Sequence, residues 1–458
     1  MKVAIVLPTK NEEETIGNIL RSLKTINGFD VIVVDDSTDK TKEISRDLGA
    51  RVLDGKGNES PSIKYALENC EEYAVILDCD GSHPPSVIPD MIQHLMDGAD
   101  LVVGSRYAKG GNRGASTLFS SFGNIFAKLI LRTKTKDLTG RFVAGHKNTL
   151  LDNCDWLGRG EDSLDLCYNC EKRGLKIVEV PFVYEQRQGG QSKTNIGKYL
   201  WTYFWRIVGL RLDSFRMFSK DYISRGLSGD YLSENKSDGG FIVDAIYHIQ
   251  VFPYFVVRGI LFIPIIGSLF GLFCQQYYRG VLGFFLRGCY WKSKLGFVGK
   301  NCFFDTGVSI FPKSKNVYID DDCFLENNCC IVCAKGDIRL SKNCHIGAGA
   351  YINGKPDFKM GRYSCIDTGC RVFGSTNLYE DENGKPLSYS STAPPEMQRI
   401  SEIGAKIGRC SFLGPNSTLV CANIGDNSVV GANSFVNSDI GDRCLYAGSP
   451  AKEIKRRE

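Results

Sequence analysis

The chain opens on VAIVLP (Val3 to Pro8), an apolar run that stops abruptly at polar residues, and the pattern recurs. VIVVDD (Val31 to Asp36), AVILDCD (Ala74 to Asp80) and LVVGSR (Leu101 to Arg106) repeat it. Runs without polar alternation are what parallel strands buried on both faces look like. Between the first two, EEETIGNILRSL places Ile16, Ile19, Leu20 and Leu23 on one face of a helix. Strands alternating with helices predict an α/β, doubly wound domain over residues 1–215, with ligands outside the carboxyl ends of the strands. Each of those ends is polar: PTKNE, DDSTD, DCDGS and GSRY.

Two changes of pattern follow. SRGLSGDYLSENKSDGG (Ser224 to Gly240) is polar and glycine-rich and reads as a linker, set at 216–245. The next stretch, 246–292, is an apolar block. Its uncharged part, Gly259 to Cys274, contains Pro264 and follows Arg258, and it is shorter than the roughly 20 residues a spanning helix needs. A re-entrant or interfacial hairpin is expected there. The aromatic stretch Ile196 to Leu212, with basic residues interspersed, is expected to lie flat at the same interface; core helices are the alternative for both. Beyond Val298 the period shortens. Ile407, Leu413 and Leu419 are six apart, as are Ile424, Val430 and Val436, and small or polar residues follow them. That repeat predicts a parallel β-helix over 293–458, interrupted by an excursion from Gly374 to Ser401.

Composition narrows the class without naming it. Apolar residues at 43% and charged residues at 24% indicate globular folding, and a net charge of +4 gives no case for a nucleic-acid partner. Thirteen of the eighteen cysteines lie at or beyond Cys274, and Cys302, Cys323, Cys344 and Cys365 are evenly spaced. They read as small core residues carried by a repeating fold, with reduced thiols. CYNC (Cys167 to Cys170) and CIVC (Cys330 to Cys333) have the spacing of half a zinc site, but they are far apart and lack nearby histidines.

The candidate chemistry centres on Asp78 and Asp80. At the end of a strand two acids at i and i+2 point the same way. Such a pair suits a divalent ion, Mg²⁺ or Mn²⁺, shared with a diphosphate and neutralising its charge as it leaves. Two solvated loop acids are the plainer alternative.

These motifs, with their neighbours, resemble family-two glycosyltransferases of the dolichyl-phosphate mannose synthase and polyprenyl-phosphate glycosyltransferase type. PTKNE (Pro8 to Glu12), Val34-Asp35-Asp36, the D-x-D with His83-Pro84-Pro85, VGSRY, DLTGRF, EVP and RQGGQSK follow in family order. Lys10 stands where the family has an aromatic, and GKGNESPS departs from the family after its first three residues. The resemblance implies a nucleotide-diphospho-sugar transferase (GT-A, Rossmann-like) domain and a metal-dependent, inverting transfer of mannose or glucose to a polyprenyl phosphate. It implies that Pro8, Thr9, Glu12 and Asp36 hold the nucleotide, that Asp78 and Asp80 meet metal and sugar diphosphate, and that Arg106, Arg187 and Lys193 bind phosphate. A lipid phosphate is already deprotonated, so attack on the sugar carbon needs positioning rather than a base. The rival is transfer to a sugar hydroxyl in surface-glycan synthesis, which needs a base from Glu161, Asp162 or Asp165.

The C-terminal region resembles the left-handed parallel β-helix acyltransferases, down to its ending YAGSPAKEIKRR. That likeness implies a homotrimer and, through a histidine base, acyl transfer from a donor such as acetyl-CoA. The only histidine in the region is His345, outside the excursion, so a non-catalytic assembly scaffold is the alternative. Nucleotide sugars and acyl-coenzyme A are cytosolic, which places both domains on the cytoplasmic face of a membrane.

Overall fold

Seven strands form the N-terminal sheet: β1 (Val3–Thr9), β2 (Asp30–Asp35), β3 (Arg51–Asp54), β4 (Tyr73–Ile76), β5 (Leu101–Ser105), β6 (Val143–His146) and β7 (Ile177–Pro181). Their order is β3-β2-β1-β4-β6-β5-β7. β6 runs antiparallel between β4 and β5, and the other neighbours are parallel. The apolar runs are continuous because successive residues enter opposite cores. Val6, Ile32, Val34 and Ile76 meet Ile63 and Leu67 on one face. Ile5, Leu7, Val33 and Val75 meet Ile16 and Leu20 on the other. Each buried aliphatic side chain contributes about 1.5–3 kcal/mol, which leaves no place for a polar residue before the strand ends. The chain order reverses beside β1, between β2 and β4, so their carboxyl ends open a crevice.

This computed structural model describes residues 2–26, 28–112, 118–156, 162–184, 196–228, 241–276, 280–388, 390 and 392–457. It divides into two compact units, Met1–Asp213 and Ser214–Glu458.

In the second unit, short strands stack in three parallel sheets around one core. Ile310, Ile331, Ile352, Val372, Leu419 and Val436 form one inward ladder in register. Phe304, Leu325, Ile346, Ile366, Leu413 and Val430 form the second. Val298, Ile319, Leu340, Met360, Ile407 and Ile424 form the third. This is a parallel β-helix. Asn301, Asn328, Asn343, Asn416, Asn427 and Asn433 have φ between 55° and 59°, the left-handed conformation that asparagine tolerates better than other side-chain-bearing residues. Polar residues therefore interrupt the aliphatic period at the corners. The excursion pairs Ser375–Asn377 antiparallel with Ile400–Glu402.

Three expectations need correction. The even spacing put Cys365 in line with Cys344, but the coil between them is one residue shorter than its predecessors. His345 pairs with Cys365, and the corner position falls to Ser364. Cys302, Cys323 and Cys344 are corner residues whose thiols donate to the backbone carbonyls of Asp320, Ser341 and Gly361 at 3.0, 3.1 and 3.2 Å. All eighteen cysteines are free thiols. The linker over 216–245 has structured ends: Lys220–Ser228 and Phe241–Ile249 are helices, and Met217 is buried with Tyr254, Val257 and Cys289. The apolar block is not one hairpin but a run of helices, Phe241–Ile249, Val251–Phe262, Pro264–Gln276 and Val281–Lys294. Among the described residues one helical stretch, Ile242–Phe262, is long and apolar enough to cross a membrane.

Candidate functional site

The carboxyl ends of β1, β2 and β4 bring most of the sequence candidates to one edge. Pro8 and Thr9 close β1, and the Thr9 hydroxyl donates to Asp35 Oδ1 at 2.7 Å. Glu12 begins the turn into the first helix, with its backbone N–H on Thr41 Oγ1 at 2.9 Å. Asp36 accepts from the Gly57 N–H at 2.8 Å and from the Ser62 hydroxyl at 2.7 Å. A Cβ at Gly55 would fall 2.2 Å from the Asp36 carboxyl carbon. Only glycine leaves that carboxylate its place.

Asp78 and Asp80 follow β4, both largely buried. Asp80 Oδ1 accepts the Ser82 N–H at 3.0 Å, and the Asp78 N–H donates to His83 Nδ1 at 3.0 Å. Nδ1 therefore carries no proton, and the imidazole is the neutral Nε2–H tautomer. Burial lowers its pKa, against the pull of Asp78 and Asp80. Its ring stacks on Phe142 at 5.0 Å and meets Phe182 edge-on at 5.6 Å. The histidine of the D-x-D-x-x-H phrase thus fixes the acid loop against the core.

Sequence reasoning missed the cation at the centre. Arg141 Nη1 lies 2.6 Å from Glu59 Oε2, and its Nε lies 3.7 Å from Asp78 Oδ1. Burial alone would lower its pKa, but Asp78, Glu59 and Asp162 together raise it. Glu59 is pushed up by burial and then by Asp78 and Asp162, with Arg141 opposing. Asp162 is raised by burial as well, although it accepts a short hydrogen bond from Ser60. Glu59 and Ser60 belong to the phrase GKGNESPS, where the chain departs from the family pattern. That departure was the available signal: two unusual residues there serve one arginine and one acid. Asp165 points elsewhere and pairs with Arg206, so of the described base candidates Asp162 alone joins the site. Glu161 lies outside the described residues.

Arg106 was expected to bind phosphate, and it is occupied differently. Its Nε and Nη2 meet both Asp137 oxygens at 2.8 Å, its backbone N–H donates to Asp137 Oδ2 at 3.1 Å, and Nη2 also reaches Thr139 Oγ1 at 2.7 Å. Burial would raise the Asp137 carboxyl, but these bonds hold it below the ordinary carboxylate range. Arg106 clamps the loop that carries Arg141. Arg187 and Lys193 lie outside the described residues.

Beside the sheet, helix Ile196–Asp213 buries Tyr203, Ile207 and Leu210 against Ala127 and Leu131 of helix Leu118–Leu131. Its other face exposes Trp201, Phe204 and Trp205, next to exposed Ile125 and Leu129. Phe126 and Phe204 stack at 5.5 Å, so the two helices share one apolar ledge.

On the β-helix, His345 stacks on Phe324 with rings 5.5 Å apart, and its Nε2 lies 3.0 Å from Glu326 Oε1. Cys365 Sγ faces its Nδ1 at 3.5 Å. Burial pushes that thiol up to about 12, so it is not a resting thiolate.

A family model described as glycosyl transferase family 2 matches residues 4–152. The chain is 33% identical over 199 residues to the dolichyl-phosphate hexose transferase of Haloferax volcanii, a match covering 41% of this chain and 84% of that protein. It is 31% identical over 218 residues to the undecaprenyl-phosphate mannosyltransferase of Micrococcus luteus, covering 43% of this chain and 89% of that protein. Among solved structures, glucosyl-3-phosphoglycerate synthase from Mycobacterium tuberculosis with phosphoglyceric acid aligns at a TM-score of 0.38 and 19% identity, over 47% of this chain and 83% of that one. AntD, an N-acyltransferase from Bacillus cereus in complex with dTDP and 3-hydroxybutyryl-CoA, aligns at 0.32 and 21%, over 35% and 82%.

Proposed function

The chain belongs to glycosyl transferase family 2, and from that premise we propose that it moves mannose or glucose from a nucleotide-diphosphate sugar to a polyprenyl phosphate. The observation that carries this reading is the acid cluster at the switch point of the sheet, together with relatives whose names specify lipid-phosphate acceptors. Pro8, Thr9, Glu12 and Asp36 form the nucleotide wall. Asp78 and Asp80 fit a hard divalent ion. Among the described residues no three His, Cys, Asp or Glu side chains form a metal cage by themselves, so Mg²⁺ or Mn²⁺ would complete its shell with diphosphate oxygens, as Mg²⁺ commonly does. When bound, that ion supplies positive charge where the leaving diphosphate gathers negative charge.

The chain's own groups do the rest. A lipid phosphate oxygen attacks the sugar C1 as the bond from C1 to the nucleoside diphosphate breaks, which inverts the anomeric centre. Arg141 holds Asp78 and Glu59 in place until the donor arrives. Arg187 and Lys193 are assigned to the acceptor phosphate, for which a planar guanidinium is well shaped. The ledge of Trp201, Phe204 and Trp205 supports a seat at the membrane interface, where its aromatic side chains would bury their apolar bodies. The chain is assigned to the cytoplasmic face, where nucleotide sugars are found.

Transfer to a sugar hydroxyl is the second reading. It is favoured by one observation: Asp162 sits beside Arg141 with its pKa raised, as a general base would need. The β-helix unit is assigned a homotrimeric assembly role. Acyl transfer from acetyl-CoA is its candidate second activity, with His345 oriented by Glu326 as the base.

The experiment supplies labelled GDP- and UDP-sugars with polyprenyl phosphate to the purified full chain. An organic-extractable product that disappears with chelator and with Asp80→Asn supports the proposal. A water-soluble glycan as the only product supports the hydroxyl reading.

A further inference from the structure

Helix Pro264–Gln276 is amphipathic the wrong way round for a soluble protein. Gly267, Gly271 and Cys274 are buried, while Ile265, Ile266, Leu269, Leu272 and Phe273 are exposed. The glycines let the helix lie close: a Cβ at Gly271 would come 2.8 Å from the Tyr290 ring. The stretch Ile242–Phe262 repeats the arrangement. Val243, Gln250, Tyr254 and Val257 are buried, at spacings of seven, four and three residues that make one stripe along the helix. Phe252 and Phe262 on its outer side are 71% and 89% exposed. Both stretches therefore dock on their own unit through a buried stripe and turn a largely apolar face outward.

We propose that this face rests in one leaflet of an anionic lipid bilayer, parallel to the surface and not crossing it. A crossing helix would have to leave its buried stripe, which runs from Val243 to Val257. Exposed apolar surface of this extent marks an interaction site, and charge selects the occupant. Residues 241–296 contain one acid, Asp244, which is held in an ion pair by Lys220, while Arg287 and Lys292 are turned into the protein. Arg258 and Lys294 are exposed, as suits anionic headgroups. A groove of about 530 Å³ joins Leu261, Leu272 and Tyr290 to Ser268 and Lys294, an apolar wall beside a cation. A second protein copy would match the apolar wall without using that cation. The seat does not depend on the acceptor of the transfer reaction, since its residues belong to the second unit and the candidate sugar site to the first.

The test places a photoreactive amino acid at Phe262, Ile265 or Leu272 of the full chain. The chain is incubated with vesicles of phosphatidylcholine, with and without phosphatidylglycerol. Phospholipid adducts at all three positions, more abundant with phosphatidylglycerol, are expected. Adducts to a second copy or to the chain itself would overturn the proposal. The triple variant Phe262→Glu, Ile265→Glu, Leu269→Glu changes only exposed positions and should lower vesicle binding by about tenfold or more. Unchanged binding would overturn the seat. Labelling of Ile242→Cys and Phe262→Cys from opposite sides of sealed vesicles would overturn the in-plane orientation. Glycosyl transfer to a short-chain, detergent-soluble polyprenyl phosphate should survive the triple variant, which separates this proposal from the reaction itself.

Discussion

Replacing Asp137 by asparagine isolates the clamp that positions the site. The substitution removes the charge that compensates Arg106, a residue 8% exposed, and weakens two charge-assisted bonds of 2.8 Å. Breaking a buried pair by removing one partner costs about 3–5 kcal/mol, because the other charge stays buried. At about 1.4 kcal/mol per factor of ten, local opening should become about 10²- to 4 × 10³-fold more frequent. Hydrogen exchange by mass spectrometry reads this directly: the Gly104 N–H, bonded to the Phe142 carbonyl at 2.7 Å, reports on the loop between Asp137 and Phe142. Transfer should fall in parallel, since that loop carries Arg141. The pH dependence carries the same signature. The Asp137 pKa is depressed in the fold, so its stabilisation is fully present above the unfolded value of about 3.9 and is lost as pH falls through the lower folded value. Asp137→Asn should lack that acid transition. A change in exchange below about tenfold, with full activity, would refute the clamp and return Arg106 to phosphate binding.

Other substitutions probe the remaining parts. Arg141→Gln leaves Glu59, Asp78 and Asp162 without their shared cation and should lower kcat/KM by about a hundredfold, about 2.7 kcal/mol of barrier; Glu59→Gln in the same chain should restore part of it in a double-mutant cycle. Asp162→Asn should keep turnover within about tenfold if the acceptor is a phosphate, whereas a loss of several orders of magnitude would identify it as a base. Gly55→Ala drives a methyl group into the Asp36 carboxylate and should raise KM for the donor with little effect on kcat, as donor titrations would show. His345→Ala should leave glycosyl transfer unchanged and abolish any acetyl-CoA consumption; acetyl-CoA consumption by the variant would remove His345 from that role.

The strands were legible because burial on both faces admits only apolar residues, as VIVVDD and LVVGSR show. β6 was not legible: VAGH is four residues with a glycine and a terminal histidine, and its antiparallel place is set by β4 and β5 rather than by its own pattern. The acids were readable from their motif, although they lie in the turn after β4 rather than on an extended strand end, but the counter-charge was not. Arg141 meets Glu59, at the start of helix Glu59–Asn69, and Asp78 from a loop far away in sequence, and no local period encodes such a meeting. Arg106 shows the converse. A motif located the residue, while its partner Asp137, 31 positions away, decides what the side chain touches. The cysteine spacing misled by one residue because a single shorter coil shifts everything after it.

The nature of the acceptor is tested most directly by competition. Purified chain receives labelled nucleotide sugar together with polyprenyl phosphate and a polyprenyl-diphosphate-linked sugar at equal concentration, and the products are identified by mass and by mild acid treatment. The account predicts a single labelled lipid in which the sugar C1 is bonded to the lipid phosphate and is released by mild acid. A labelled disaccharide on the diphosphate lipid, with polyprenyl phosphate untouched, would contradict it.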